Sequence, residues 1–210
     1  MADRGQMTAD RLQPLQRVFF DRPTDEVARD LLGALVCRET GEGLTVGRIV
    51  ETEAYGGPED RASHARAGRT PRTMPMFGEV GHAYVYLVYG MHECLNVVAH
   101  NGAEAGAVLL RALEPLVGVE LMRSRRGRAA DPDERLCAGP ARSCQAMAVD
   151  RALDGHDLTT GESLWLAESV ENGRPEIAQG ARIGVDYATD GWAARPWRFW
   201  LADHQSVSRP

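Results

Sequence analysis

Two carboxylates and a tyrosine occupy every second position of one short apolar segment. They are Glu51, Glu53 and Tyr55, at the end of a run that begins at Ile49. Side chains alternate along a β-strand, so the three side chains are predicted to share one face. Two buried carboxylates beside an aromatic ring are typical of a site for acid–base chemistry, because burying them is costly. The alternative is a solvated strand edge, and this segment alone does not decide between the two.

A single arginine interrupts a second apolar segment. Residues 107–113 are apolar on both faces, which predicts a central strand, yet Arg111 lies within it. An unpaired guanidinium in such a strand would cost several kcal/mol, so Arg111 needs a carboxylate or phosphate partner. Glu51 and Glu53 are the natural candidates. A plain ion pair without any role in chemistry is the alternative.

The elements that must position these residues are mostly strands. Residues 44–55 are rich in β-branched side chains and are predicted to form a strand paired with residues 35–38. A helix is predicted before them, with Thr24 as its N-cap and its end near Gly33.

A tyrosine-rich hairpin is predicted over residues 83–100, with its turn at Gly90-Met91. Tyr89 lies next to this turn, where little core is available to bury it. An exposed tip with Tyr89, Met91 and His92 suits insertion into a partner molecule. The alternative is a hairpin folded back over the domain, with Tyr89 as a lid.

Residues 56–82 show no sustained hydrophobic period and are predicted to form a long loop. Such a loop inside a compact domain is usually functional or disordered. It contains His64, which by itself is best interpreted as a surface histidine. The loop also carries four arginines, namely Arg61, Arg66, Arg69 and Arg72.

The rest of the chain completes an α+β prediction: a single domain with a curved, mostly antiparallel sheet flanked by helices and a protruding β-hairpin. Residues 1–16 are expected to be a loose N-terminal segment, and residues 17–205 the domain. The remaining predicted elements are a helix starting at Pro115, a polar loop at 129–135, a helix at 141–149, a strand at 163–166, a polar loop at 168–176 and strands at 181–186 and 197–201.

The charge distribution limits the chemistry. All 24 basic residues are arginine, so a Schiff base through a side-chain amine is excluded. The net charge is −6, but residues 61–128 carry nine arginines against five glutamates. An acidic chain with a basic middle can bind nucleic acid only through a local patch.

Several function classes are not supported by the sequence. No apolar run approaches the ~20 residues of a membrane helix, and the first residues do not resemble a secretory signal. The four cysteines are too scattered for a zinc motif and too few for a disulfide scaffold. We expect a cytoplasmic protein (nucleoid-associated if bacterial) with reduced thiols, no metal, no cofactor and no membrane partner.

Taken in order, these motifs resemble the alkyladenine (3-methyladenine) DNA glycosylase family over about residues 25–202. The matching runs are Ala28-Arg29-Asp30-Leu31-Leu32-Gly33, Arg48 to Tyr55, Gly57-Pro58-Glu59-Asp60 with His64, Tyr84 to Met91, Cys94-Leu95-Asn96, Val108 to Pro115, Cys137-Ala138-Gly139-Pro140 and Arg182-Ile183-Gly184-Val185.

The resemblance implies a catalytic role for two residues. Glu53 would be the general base that activates a water molecule, and Arg111 would hold Glu53 and the backbone of the extruded nucleotide. Glu51 resembles a structural carboxylate. No lysine is present, which fits water as the nucleophile and an abasic site as the product, without strand cleavage.

The resemblance also implies a pocket for a base. Tyr55 and His64 would sandwich a flipped purine, Tyr86 would close the pocket, and Asn96 would help to reject guanine. Tyr89 would intercalate where the base has left the duplex. Candidate contacts with the DNA backbone are Arg66, Arg69, Arg72 and Met91.

The implied partner is double-stranded DNA with alkylated or deaminated purines, bound by a monomer. Flipping costs a few kcal/mol, and stacking on aromatic rings returns about 1–3 kcal/mol per base. Two alternatives remain from the residues alone. A nucleoside hydrolase for small substrates would use Glu51 and Glu53 but not Tyr89, and a non-catalytic nucleic-acid-binding module would not need Glu53.

Overall fold

The computed structural model describes residues 8, 12–102, 104–168 and 176–208. Eight strands in these residues form one antiparallel sheet. The strands are β1 (Leu35–Thr40), β2 (Gly43–Tyr55), β3 (Ala83–Val88), β4 (His92–Val98), β5 (Ala107–Val117), β6 (Leu164–Ala167), β7 (Ile177–Gly180) and β8 (Arg198–Leu201). The α-helices of the same residues are α1 (Thr24–Asp30), α2 (Val119–Arg126), α3 (Asp133–Leu136) and α4 (Pro140–Ala146), and short 3-10 helices lie at Arg17–Phe19, His64–Ala67, Met74–Phe77 and Arg151–Leu153.

The sheet is built around β2, its longest strand. The order is β3-β4-β5-β2-β1-β6, and β8 pairs with both β2 and β7. Along one edge, β1 pairs with residues 43–48 of β2 and β8 pairs with residues 51–53. The pairing of β2 with β5 shifts register at three places, and such bulges increase the local twist and curvature of a sheet. The prediction of a single α+β domain with a curved, mostly antiparallel sheet is confirmed.

Helices α1 and α4 cover the sheet and close the main core. Val27, Ala28 and Leu31 of the α1 region are fully buried, at the spacing that one helical face requires. The hydroxyl of Thr52 on β2 donates to the carbonyl of Ala28, which ties α1 to the centre of the sheet. The end of β2 that carries the carboxylates is therefore tied to α1.

Most sequence-predicted elements are present. Strand β5 lies between β4 and β2, as its apolar faces predicted. The tyrosine hairpin is formed by β3 and β4, and Tyr89 lies within its turn rather than before it. The predicted N-cap of α1 is wrong by one residue: Pro23 is the cap, and the Thr24 hydroxyl donates instead to the carbonyl of Ala99.

The prediction that a helix starts at Pro115 is wrong in its first residue. Strand β5 continues through Pro115 to Val117, and α2 begins at Val119 after Gly118 with φ 70°. Pro115 is paired with Gly47 beside a register shift of β2, an irregular position where the missing N–H of proline is tolerated.

Two further predictions are corrected. The polar loop predicted at 129–135 includes the start of α3, where Pro132 is the cap and two acidic residues fill the first turn. The strand predicted at 181–186 is absent, and Ile177–Gly180 forms β7 instead. The predicted polar loop at 168–176 falls mostly on residues 169–175, which lie outside the described residues.

The N-terminal segment 1–16 is described only at residue 8 and from residue 12 onward. Leu12 and Leu15 are buried, and the Trp165 indole donates to the carbonyl of Leu12, so residues 12–16 lie against the sheet. Among the described residues, no helix is long and apolar enough to cross a membrane.

Candidate active site

Glu53 lies at the end of β2 with no exposed surface. Its Oε1 accepts a hydrogen bond of 2.8 Å from the Ile183 N–H, and its Oε2 accepts one of 2.8 Å from the Tyr55 hydroxyl. Nη1 of Arg111 lies 3.6 Å from Oε1. The prediction that Glu53 and Tyr55 share one face of the strand is therefore confirmed.

Two opposing effects act on the pKa of Glu53. Burial raises the pKa above the ordinary value of a glutamate, and the Arg111 guanidinium, the Ile183 N–H and the Tyr55 hydroxyl lower it. Burial is the largest of these effects. Burial and the neighbouring Glu53 raise the pKa of Tyr55 far above its ordinary value, so Tyr55 stays protonated and donates. A carboxylate with a raised pKa is a stronger base than an ordinary glutamate, and it is therefore suited to accept a proton.

Glu51 is equally buried but is surrounded by cations. Its Oε1 lies 2.7 Å from Nε of Arg198 and 3.1 Å from Nε of Arg111, and its Oε2 accepts from the Ser208 N–H at 2.8 Å. The expected pairing of Arg111 with both glutamates is confirmed. Glu51 thus fixes Arg111, which in turn lies next to Glu53.

A cavity of about 580 Å³ opens in front of Glu53. Seven of the predicted site residues line it: Tyr55, His64, Arg72, Tyr86, Tyr89, Asn96 and Arg111. Glu53 itself is not at the surface of the cavity, but its two hydrogen-bond donors, Tyr55 and Ile183, are part of the wall.

Aromatic rings form one side of this cavity. The ring centroids of His64 and Tyr86 lie 4.6 Å apart, and those of Tyr84 and Tyr86 lie 5.1 Å apart. Nδ1 of His64 is 3.0 Å from the Tyr84 hydroxyl, which holds the imidazole ring in place. Such rings offer flat apolar faces for stacking a purine.

His64 is uncharged at neutral pH. Burial lowers its pKa to about 4, and Arg72 and Arg66 add to this effect because they repel a second positive charge. Nε2 of His64 lies 3.5 Å from Nη2 of Arg72, and Nδ1 lies 3.0 Å from the Tyr84 hydroxyl. His64 is therefore not the free surface histidine that the residue alone suggested.

Asn96 lies deep in the cavity wall, on β4. Its side-chain amide donates to the Tyr84 carbonyl at 2.9 Å, and the residue is 2% exposed. This bond fixes the orientation of the amide group, so Asn96 presents a fixed shape to any molecule in the cavity.

The hairpin tip stands out from the rim of the cavity. Tyr89 is 89% exposed and has a left-handed backbone, with φ 52°, and Met91 is 71% exposed. Tyr89 still contributes to the cavity lining. The alternative in which the hairpin folds back with Tyr89 as a lid is excluded.

Three arginines of the loop after β2 lie over aromatic rings. Arg66 covers Tyr187, Arg69 covers Phe77 and Arg72 covers Tyr86, at 4.7 to 5.3 Å between guanidinium carbon and ring centroid. Of the three, Arg72 lines the cavity. Within the parts of the chain that the structure describes, no carboxylate pairs with these arginines, so their charge remains directed at solvent.

Several residues of the site were missed from the sequence. The sequence pattern places Ile183 in a predicted strand, and it indicates no role for Asp60, Arg182 or Arg198. Arg198 carries the same signal as Arg111, a cation within an apolar strand, and could have been found in that way. In the described residues, no group of three or more His, Cys, Asp or Glu side chains could hold a metal ion.

Comparison with known proteins agrees with this geometry. A family model described as methylpurine-DNA glycosylase matches residues 18–205. The chain is 48% identical over 197 residues to a candidate 3-methyladenine DNA glycosylase of Methanocella arvoryzae, covering 93% of this chain and 96% of that one. It is 51% identical over 181 residues to a protein of the same description from Rubrobacter xylanophilus, covering 86% and 90% of the two chains.

The chain is also 44% identical over 200 residues to the DNA-3-methyladenine glycosylase of Homo sapiens. This match covers 90% of the chain and 66% of the human protein. The buried carboxylate, the aromatic cavity and these matches define the class of protein, a hydrolytic DNA glycosylase. Within that class, the chain belongs to the methylpurine-DNA glycosylase family.

Proposed function

We propose that this protein is a monofunctional DNA glycosylase that removes alkylated or deaminated purines from duplex DNA and leaves an abasic site. The observation that carries the proposal is the position of Glu53. It is a buried carboxylate with a raised pKa, directly behind a cavity lined by aromatic rings. The names of the relatives, which refer to 3-methyladenine DNA, support the same substrate class.

The proposed reaction is a hydrolysis. The water oxygen attacks the anomeric carbon of the deoxyribose, the N-glycosidic bond breaks, and its electron pair leaves with the base. Glu53 accepts the proton of the water and, as an anion, stabilises the oxocarbenium-like transition state. Arg111, 3.6 Å from Glu53, limits how far burial can suppress ionisation.

Recognition of the base follows from the cavity. A purine in duplex DNA cannot reach Glu53, so it must leave the stack, which costs a few kcal/mol. Stacking between Tyr55 and His64, with Tyr86 as the closing ring, would return about 1–3 kcal/mol. Cationic alkylated purines gain further from electron-rich rings. Asn96, whose amide is fixed by the Tyr84 carbonyl, would crowd the exocyclic amine of guanine.

Contact with the duplex would come from the rim. Tyr89 at the hairpin tip would fill the gap left by the base, as apolar wedges do in other DNA complexes, with Met91 beside it. Arg66, Arg69 and Arg72 would meet phosphates, so the local positive charge offsets the net charge of −6. We propose that a monomer acts, through a domain of residues 17–205.

The test is single-turnover excision from duplexes with one hypoxanthine or one ethenoadenine, followed by alkali to reveal abasic sites. Wild type and Glu53→Gln are compared at low and moderate salt. We expect alkali-dependent cleavage with wild type alone, while both proteins bind the duplex. Binding without abasic sites from wild type on these and on methylated purines would contradict the proposal and favour a binding module.

A further inference from the structure

Asp60 and Arg182 form an ion pair that is closed to solvent. Both side chains are fully buried, and two bonds join them: Nη1 to Oδ2 at 2.6 Å and Nη2 to Oδ1 at 3.0 Å. This fork geometry fixes both groups in one plane. Neither residue lines the cavity, so neither can touch a base in it.

Each partner of the pair is also bonded to the backbone around the site. Asp60 accepts from the N–H groups of Gly56 and Ala62, both at 2.9 Å, and so shapes the loop that follows β2. Arg182 donates to the carbonyl of Ala54 at 2.9 Å. The pair thereby joins the end of β2 to the segment that contains Ile183.

Arg182 also lies against the ring of Tyr55. The guanidinium carbon is 4.9 Å from the ring centroid, a distance at which a cation and a π-system attract. The residue after Arg182 is Ile183, whose N–H donates to Oε1 of Glu53. Arg182 therefore touches or adjoins both hydrogen-bond donors of Glu53.

Stability alone is a weak reason for such a pair. Removing two charges from water costs several kcal/mol each, and an apolar pair of similar volume is often as stable or more so. The place of the pair gives a better reason, because its bonds converge on the groups that hold Glu53.

We propose that Asp60 and Arg182 are positioning residues, which fix the Tyr55 ring and the Ile183 N–H where both donate to Glu53. The inference rests on the proposed role of Glu53 as the general base. Loss of the pair loosens both donors, so the Glu53 anion loses stabilisation and its proton is released only at higher pH. The charged or titratable groups that also face Glu53 are Arg111 on β5, Glu51 on β2 with its partner Arg198 on β8, Tyr86 on β3 and Cys94 on β4.

The experiment compares wild type with Asp60→Asn and Arg182→Lys. The pKa of Glu53 is measured by carbon-13 NMR of labelled glutamate carboxyls, with the Glu53→Gln variant to assign the signal. Single-turnover excision is followed against pH, and thermal unfolding and duplex binding are recorded. We expect Asp60→Asn to raise the pKa of Glu53 by about one pH unit. The acid side of the pH profile of the excision rate should move to higher pH by the same amount.

In Asp60→Asn, the excision rate at neutral pH should fall by about tenfold to 10²-fold, because a displacement of about 1 Å at a reacting group has an effect of this size. Duplex binding should be unchanged. Arg182→Lys keeps the charge but loses the two-pronged hydrogen bonding of the guanidinium. Its Glu53 pKa and its excision rate should lie between those of wild type and Asp60→Asn. The effects of Asp60→Asn and Tyr55→Phe on the pKa should be less than additive, because both act through the same hydroxyl.

The matched control is Asp157→Asn. Asp157 also pairs with an arginine, Arg17 at 2.5 Å, and accepts from a backbone N–H, that of Thr159, but it does not line the cavity. It should change thermal stability only. The inference is overturned if Asp60→Asn lowers stability but leaves the pKa of Glu53 unchanged. If Asp60→Asn does not fold, the same result for Arg182→Lys overturns it.

The two proposals can fail separately. Because the NMR titration needs no substrate, it tests positioning even if wild type excises no lesion. In that case a shifted pKa of Glu53 upholds the positioning role and rejects only the proposed reaction.

Discussion

The hydroxyl group of Tyr55 donates a hydrogen bond of 2.8 Å to Oε2 of Glu53. The two residues are two positions apart on β2, so their side chains leave the strand on the same face. Tyr55 is thus both part of the cavity wall and a hydrogen-bond donor to Glu53, the proposed general base. A purine stacked on Tyr55 would rest on the ring that also orients Glu53.

The variant Tyr55→Phe separates these two tasks, because it keeps the ring and removes the donor. We expect excision to slow by about tenfold at neutral pH, since a hydrogen bond to a charged group is worth roughly 1.5–3 kcal/mol. The acid limb of the rate should move to higher pH, while lesion binding stays near that of wild type. Tyr55→Leu, which also removes the ring, should weaken lesion binding. Equal rates for Tyr55→Phe and wild type would show that the hydroxyl has no part in the reaction.

Glu51 is predicted to serve stability more than chemistry. The variant Glu51→Gln would remove the buried carboxylate that pairs with Arg198 and Arg111, and breaking a buried ion pair in this way costs roughly 3–5 kcal/mol. Urea unfolding at neutral pH measures this loss. Glu42→Gln is the control, because Glu42 pairs with Arg125 but is 62% exposed and should matter by less than about 1 kcal/mol. A similar small change in both variants would contradict the prediction.

Much of the fold could be predicted from local pattern. The alternation in 44–55 and 83–100 and the double-sided apolar run at 107–113 gave strands that the sheet contains. The wrong predictions of secondary structure occur where a backbone group does not take part in the regular hydrogen bonding between strands. Pro115 continues a strand because it sits at a bulge, which no local propensity encodes. Residues 181–186 look like a strand, but the Ile183 N–H bonds to a side chain.

The candidate site was predictable where a residue conflicted with its surroundings. Arg111, a cation in an apolar strand, pointed to a buried carboxylate, and Glu51 and Glu53 are its partners. Asp60 and Arg182 carry no such signal. They are 122 residues apart in the chain, and each lies in a segment where a charged side chain is unremarkable until the fold brings them together.

His64 should make stability depend on pH in one direction. Its folded pKa of about 4 is below the ordinary value of 6.5, so between these values the unfolded chain binds a proton that the folded protein does not. The His64 contribution to stability is therefore fully present above pH 6.5 and is lost as the pH falls toward 4. Urea unfolding at pH 7 and pH 5 should show a larger loss for wild type than for His64→Gln. The same loss in both proteins would contradict this prediction.

Arg69 is predicted to contact a phosphate. Its guanidinium covers Phe77 and, in the residues that the structure describes, no carboxylate neutralises it. The variant Arg69→Gln should reduce the slope of log K against log salt for duplex binding by about 0.9 in magnitude, the value for one phosphate contact. Arg22→Gln is the control, because Arg22 pairs with Asp30 at 2.7 Å and should leave the slope unchanged. Equal slopes for Arg69→Gln and wild type would remove Arg69 from the interface.

Tyr89 is predicted to matter for DNA and not for folding. It is 89% exposed, so Tyr89→Ala should change the free energy of unfolding by less than about 0.5 kcal/mol. Loss of the wedge should nevertheless slow single-turnover excision by about tenfold or more, because a stacking contact with a base is worth roughly 1–3 kcal/mol. Val18→Ala is the control, since Val18 is 74% exposed but does not line the cavity. If both variants excise at the wild-type rate, the hairpin tip does not hold the duplex open, and the exposure of Tyr89 needs another explanation.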